Sequence, residues 1–208
     1  MRFRRRNSNK SIIKEAPSII TDPKQYKGKW SSLFLNKNKI HLEIGMGKGD
    51  FILTKAIKYP HLNFIGLEKD ESIMARALKK IMPHNINNLK LIIGDANDIN
   101  NFFAEEITSL YLNFPDPWPK LKHFKRRLVN DIFLKKYHLL FKGNHKIYLK
   151  TDSKALFDYA IKELNKNHYL LKVINYKLLN DNIVTEYETK FLALKKKIYC
   201  LEAFKEKG

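Results

Sequence analysis

The sequence predicts an α/β fold, a mostly parallel β-sheet covered by helices. Three observations predict it. Short β-type runs alternate with stretches of helical periodicity along most of the chain. Proline or glycine punctuates many of the junctions between them. Acids and glycines gather just past the ends of the β-type runs, where open parallel sheets bind ligands. With 208 residues, 44% of them hydrophobic, the chain supports one substantial core. The expected organisation is a basic amino-terminal arm over residues 1–30, followed by a single domain over residues 31–208.

The first strand, Lys39 to Ile44, ends at Gly45, and the next helix runs from about Asp50, its expected N-cap, to Tyr59 before Pro60. A second strand, Leu62 to Leu67, stops at Glu68. Glu71 to Met82 then carries Ile73, Met74, Ala77, Leu78 and Ile81 at helical spacing, until Pro83 ends it. The third strand, Leu89 to Ile93, runs into Gly94 and Asp95, and the fourth, Ile107 to Phe114, into a proline-rich turn. Beyond a basic loop come a helix from about Leu128 to Phe141, a fifth strand from Lys146 to Lys150, and a helix capped by Ser153 that reaches about Asn165. Two later β-type runs, Tyr169 to Leu178 and Ile198 to Phe204, bracket a polar loop and predict a closing hairpin.

Forty Lys plus Arg against 21 Asp plus Glu give a formal charge of +19, which repels itself in a compact state unless a polyanion shares the surface. A lysine-rich proteome raises the same count, so clustering carries the argument. Arg2, Arg4, Arg5, Arg6 and Lys10 form one cluster, and Lys120, Lys122, His123, Lys125, Arg126 and Arg127 form another beyond the fourth strand. Nucleic acid is the first candidate partner, with these clusters as a phosphate-contacting track. Lys195, Lys196 and Lys197 read instead as solvated charges. Cys200 is the only cysteine, which excludes an intrachain disulfide and a cysteine-based zinc site and fits a reducing cytosol. His123 has no second ligand at metal spacing, so no metal is expected. No run is long and apolar enough to span a membrane, and the basic start leads to Lys14, Glu15 and Pro17 rather than to the apolar stretch of a signal peptide. The expected location is cytoplasmic.

Chemistry concentrates at four strand ends. The first reads Glu43, Ile44, Gly45, Met46, Gly47, Lys48, Gly49, and its glycines let backbone N–H groups approach a ligand closely. The spacing is neither the dinucleotide GxGxxG nor a P-loop. Glu68, at the second strand end, stands where an acid accepts hydrogen bonds from ribose hydroxyls, and both NAD and S-adenosylmethionine have that ribose. Asp95 suits an adenine amino group, or a plain turn. At the fourth, Asn113 to Lys120, three prolines fix the backbone around Asp116 and Trp118. A carboxylate and an indole held together suit a flat base, because Asp116 can accept from the Watson–Crick edge of guanine while an aromatic ring offers a stacking face.

These pieces resemble the bacterial tRNA (guanine-N7)-methyltransferase family over essentially the whole chain. The matching segments are the basic stretch leading to Lys29 and Trp30, EIGMGKGDF at Glu43 to Phe51, GLE at Gly66 to Glu68, and GDA at Gly94 to Ala96. They continue with NFPDPWPKLKHFKRRL at Asn113 to Leu128, TD at Thr151 and Asp152, and TEYETKF at Thr185 to Phe191. The resemblance implies a Rossmann-like, seven-stranded class I S-adenosylmethionine-dependent methyltransferase fold, with one reversed strand near the carboxyl terminus. It implies S-adenosyl-L-methionine as cofactor, held by Glu43, Gly45, Gly47, Glu68, Asp95 and Asp116, with S-adenosyl-L-homocysteine as product. Asp116 lies between cofactor and base and is the implied catalytic residue. Lys120, Asp152, Thr185, Glu186, Tyr187 and Glu188 match substrate-binding positions, and Lys122, His123, Lys125, Arg126 and Arg127 extend the RNA track. The implied target is tRNA, at the variable-loop guanine of nucleotide 46, and the chain is expected to act as a monomer or homodimer.

Two rivals belong to other classes. A nicotinamide-dependent dehydrogenase would share Gly45 to Glu68, yet it requires GxGxxG and has no use for so basic a loop after the fourth strand. A non-catalytic RNA-binding protein on the same scaffold is the stronger rival, and the intact Glu68, Asp95 and Asp116 argue against it.

Overall fold

The computed structural model describes residues 2–174 and 183–207. The chain divides into two compact units, Met1–Phe103 and Ala104–Gly208.

The first unit contains α1 (Arg2–Glu15), β1 (Ile19–Ile20), α2 (Trp30–Phe34), β2 (Ile40–Ile44), α3 (Asp50–Lys58), β3 (Asn63–Glu68), α4 (Glu71–Ile81), β4 (Leu89–Ile93) and α5 (Ile99–Phe102). Its strands lie in the order β1-β4-β3-β2 and every pairing is parallel. All six residues of β3 are buried, as expected of an inner strand in a parallel sheet covered on both faces. The periodicity read in α4 seats Met74, Ala77, Leu78 and Ile81 in the core, and Asp70 caps the helix by accepting from the N–H groups of Ser72 and Ile73. The preceding helix differs in detail from expectation. Its N-cap is Gly49 in a left-handed conformation, and Asp50 opens the helix with its carboxylate paired to Lys80 at 2.6 Å. Helix formation there is set by the glycine's backbone freedom rather than by a side-chain cap.

The strand β1 is additional to the seven expected. Two residues carry no periodicity, and Ile19 and Ile20 are placed only by pairing with Leu91 and Ile92. Residues 12–30 contribute directly to the first unit's core. Ile12 and Ile13 pack on a cluster that includes Ala16, Leu78 and Ile81. Trp30 is fully buried, its Nε1–H donates to the Phe102 carbonyl at 2.8 Å, and its ring packs against Phe103.

The second unit contains β5 (Ile107–Asn113), α6 (Asp131–His138), β6 (Phe141–Thr151), α7 (Lys154–Lys166), β7 (Leu170–Ile174), α8 (Glu186–Ala193) and β8 (Tyr199–Lys205). Strand β5 pairs parallel with β6, while β8 lies between β6 and β7 and runs antiparallel to both. This is the reversed strand expected near the end of the chain, and β7 with β8 forms the closing hairpin. Residues 175–178 of the run ascribed to its first strand lie outside the described residues. The connection read as a polar loop contains a helix, α8. Thr185 accepts from the Glu188 N–H while the Glu188 carboxylate accepts from the Thr185 N–H, a capping box that starts a helix even in a polar segment.

Candidate active site

In the first unit, four of the expected site residues meet at neighbouring strand ends. After β2 the backbone crosses the end of β3, where the N–H groups of Gly45 and Met46 both donate to the Leu67 carbonyl, at 2.8 and 3.1 Å. That turn needs φ values of 72° at Gly45 and 58° at Gly47, in the region where a Cβ is costly. The Glu68 carboxylate braces it. Oε2 accepts from the Gly47 N–H at 3.0 Å, and Oε1 accepts from the N–H groups of Lys69 and Asp70 at 2.9 and 3.1 Å. Next to it the Gly94 N–H donates to the Glu68 carbonyl, so Asp95 begins beside the same strand end. Asp95 is exposed, and its Oδ1 takes both the N–H and the side-chain amide of Asn97. Glu43 is buried in β2, one residue before that strand ends.

A ribose and a base with an amino group fit this arrangement. A Cβ placed on Gly45 or Gly47 would meet nothing within 4 Å, so both glycines border open space, while the buried Glu68 carboxylate braces the turn from within. Met46 supports the turn from below by packing against Gly66, where a side chain would collide with its sulfur.

In the second unit, the segment after β5 is held at several points. The Phe114 N–H donates to the Lys150 carbonyl at 2.8 Å, which ties the start of the loop to the end of β6. Phe114 and Trp118 both have positive φ, 49° and 42°, a costly conformation for aromatic residues, the more so because each precedes a proline. Between them Asp116 is exposed. The Arg126 guanidinium lies 4.8 Å from the centre of the Trp118 ring, and His123 flanks the same ring. Lys120, Lys122, Lys125 and Arg126 are exposed along a 3₁₀ turn, Leu121–Arg126, and its neighbourhood. Arg127 differs from these neighbours: it is 9% exposed.

The remaining expected substrate residues divide by burial. Tyr187 is 55% exposed, and its ring stacks 6.4 Å from Phe114, with Phe191 close to both. Thr185 and Glu188 are buried and spend their side chains on the capping box of α8. Glu188 is fully buried, and Lys150 Nζ reaches both of its carboxylate oxygens and the Ile183 carbonyl at 3.2 to 3.3 Å. Their arrangement therefore positions the start of α8 and the exposed Tyr187. Asp152 pairs with Lys196 at 2.9 Å, and that lysine also lies over the Phe191 ring. Lys196 thus has a specific partner, not the purely solvated role read from its lysine run. Lys150, Phe114, Phe191 and Lys196 carry no local sequence signal for these contacts, which join positions up to 77 residues apart in the chain. The Glu186 backbone opens α8. Among the described residues there is no group of three His, Cys, Asp or Glu side chains able to hold a metal, and no helix long and apolar enough to cross a membrane.

A family model described as "Putative methyltransferase" matches residues 37–201. The chain is 44% identical over 194 residues to a tRNA (guanine-N(7)-)-methyltransferase of Oceanobacillus iheyensis, covering 90% of this chain and 91% of that one. A tRNA (guanine-N(7)-)-methyltransferase of Lachnoclostridium phytofermentans is 38% identical over the full length of both chains. The chain belongs to the tRNA (guanine-N7)-methyltransferase family. Its fold is shared with more distant solved structures. An antibiotic-related methyltransferase superposes with a TM-score of 0.68 at 17% identity, covering 93% of this chain and 98% of the other. The 16S rRNA methyltransferase KamB superposes with a TM-score of 0.63 at 12% identity, covering 86% and 92%. The architecture is accordingly the Rossmann-like methyltransferase fold, with the short β1 added to the expected seven strands.

Proposed function

We propose that this protein transfers the methyl group of S-adenosyl-L-methionine to N7 of a guanine in tRNA, at nucleotide 46 of the variable loop, leaving S-adenosyl-L-homocysteine. The observation that carries the reading is an exposed carboxylate, Asp116, on a loop whose backbone is pinned on both sides and lined with exposed cations. The cofactor supplies an electrophilic methyl group on a sulfonium. Gly45 and Gly47 would present the backbone turn beneath it, Glu68 and Asp95 would accept from its ribose and adenine, and Glu43 lies buried one residue before β2 ends.

Guanine N7 carries an in-plane lone pair and no proton, so no general base is needed to create the nucleophile. Positioning would dominate, and holding N7 at attack distance can supply roughly 7 to 11 kcal/mol of barrier reduction. Methylation places positive charge on the purine and makes its N1–H a stronger donor. Asp116 accepts that hydrogen bond, and a charged hydrogen bond of this kind contributes about 1.5 to 3 kcal/mol. Tyr187 and Phe114 offer a ring face for the base, while Thr185 and Glu188 act through the placement of α8. Lys120, Lys122, His123, Lys125 and Arg126, with the basic residues of the 1–30 arm, hold phosphates, so binding weakens steeply with salt. The protein works in the cytoplasm without a metal, as a monomer or homodimer.

Labelled methyl transfer to an unmodified tRNA transcript tests this, with the product mapped by reduction and aniline cleavage. Cleavage at the variable-loop guanine, lost with Asp116→Ala, is the expected result. Methylation at another atom or another nucleotide would overturn the substrate assignment.

A further inference from the structure

Arg127 ends a run of cations whose other members face solvent, yet it is 9% exposed. A buried guanidinium must place its N–H donors on the protein. The Nε and Nη2 groups of Arg127 both donate to the Trp118 carbonyl, at 3.3 and 3.1 Å, and the guanidinium carbon lies 4.5 Å from the centre of the Tyr159 ring on α7. The Arg127 backbone is itself fixed. Its N–H donates to the Phe124 carbonyl at 3.1 Å, and the Asn130 amide ties down the carbonyls of Lys125 and Phe124 while its Oδ1 caps α6.

We propose that Arg127 is a positioning residue, a clamp that fastens the Asp116 loop to α7, and that it takes no part in phosphate binding. The proposal rests on the reading of Asp116 as the residue that holds the base. The gripped carbonyl belongs to Trp118, two residues beyond Asp116 and at φ 42°. Such a conformation costs a non-glycine residue energy and persists only where the surroundings over-determine it. The clamp supplies that constraint from one side of the residue, and Arg126 against the indole supplies it from the other. Adjacent arginines thus divide the work. Arg126 remains exposed and available to RNA, whereas Arg127 is buried and directs its Nε and Nη2 donors to the loop it holds. A lysine cannot replace it, because the two-pronged grip on one carbonyl needs the guanidinium fork.

The two roles predict different behaviour for Arg127→Lys and Arg127→Ala. A clamp predicts that both variants lose methyl-transfer rate by roughly 10²-fold at saturating tRNA, as expected when a reacting group is misplaced by about 1 Å. It also predicts unchanged tRNA affinity and an unchanged slope of affinity against salt. Tyr159→Leu, which removes the wall without touching a charge, lowers the rate in the same direction. A phosphate contact predicts instead that Arg127→Ala weakens binding uniformly and lowers the salt slope by about 1, and that Arg127→Lys restores both; that result would overturn the proposal. Acrylamide quenching gives a readout independent of catalysis. The chain has two tryptophans, and Trp30 is fully buried, so an increase in quenching reports on Trp118. The clamp predicts increased quenching in both Arg127 variants and none in Lys122→Ala. Unchanged quenching in variants that melt like the wild type would sink the clamp even if the protein methylated nothing, which separates its failure from a failure of the proposed reaction.

Discussion

Replacing Lys150 with methionine should destabilise the protein by about 3 to 5 kcal/mol, the range for removing one partner of a buried ion pair. The structure places the loss at the upper end of what a single polar substitution does. Glu188 is fully buried and the Lys150 side chain is only 14% exposed, so water cannot take over the role of the ammonium group. The same ammonium also serves the Ile183 carbonyl at 3.2 Å, leaving a second acceptor without that donor. Methionine keeps much of the side chain's volume, so cavity formation contributes little. Urea unfolding monitored by circular dichroism measures the effect. With a slope of about 2 to 3 kcal/mol/M, the midpoint should fall by roughly 1 to 2.5 M. Adding Glu188→Gln isolates the cause, because glutamine keeps an oxygen for the Thr185 N–H while removing the charge. The double variant should recover more than half of the loss. A loss below about 1 kcal/mol in Lys150→Met, the level of an exposed pair, would refute the reasoning, as would a double variant less stable than the single one.

The first unit makes two further outcomes testable. Gly47→Ala should cost about 1 to 2 kcal/mol through its φ of 58° alone, since open space surrounds the new methyl group, and should weaken S-adenosylhomocysteine binding in calorimetry; unchanged stability and affinity would contradict the cradle. Burial, with Lys55, Lys39 and His61 nearby, pushes the His41 imidazole down to about 4. The folded value lies below the unfolded one, so the stability it contributes is complete above about 6.5 and is lost as pH falls toward 4. His41→Gln should flatten the decline of stability across that interval, and an unaltered pH profile would exclude His41 as its source.

The strands and the acids at their ends were legible because both are local signals. Glu43 stands one residue before the end of an apolar run and Glu68 and Asp95 stand at or just past the ends of theirs, and parallel pairing brings such ends together without further information. The closing strand was legible for the same reason, since Ile198 to Phe204 reads as a strand whatever its direction, while its reversal was implied by the resemblance. The illegible features depend on contacts across long stretches of chain. Nothing around Arg127 marks it as the buried member of its run; Tyr159 and the Trp118 carbonyl decide that. Likewise Lys150 reads as the last residue of a strand until Glu188 is placed beside it. The helix α8 is a different case. Thr185 and Glu188 stand at capping-box spacing, so a local signal for the helix was present, masked by the substrate role that the resemblance gives the same two residues.

Methyl transfer to guanine N7 has one atomic requirement, a lone pair on that nitrogen at one position of the tRNA. The most direct measurement compares methyl acceptance by an unmodified tRNA transcript with that of the same transcript carrying 7-deazaguanine at nucleotide 46, which replaces N7 by a carbon. Transfer to N7 predicts that the altered tRNA binds with the same affinity and salt dependence and accepts no methyl group. Continued methylation of the 7-deazaguanine transcript would contradict it.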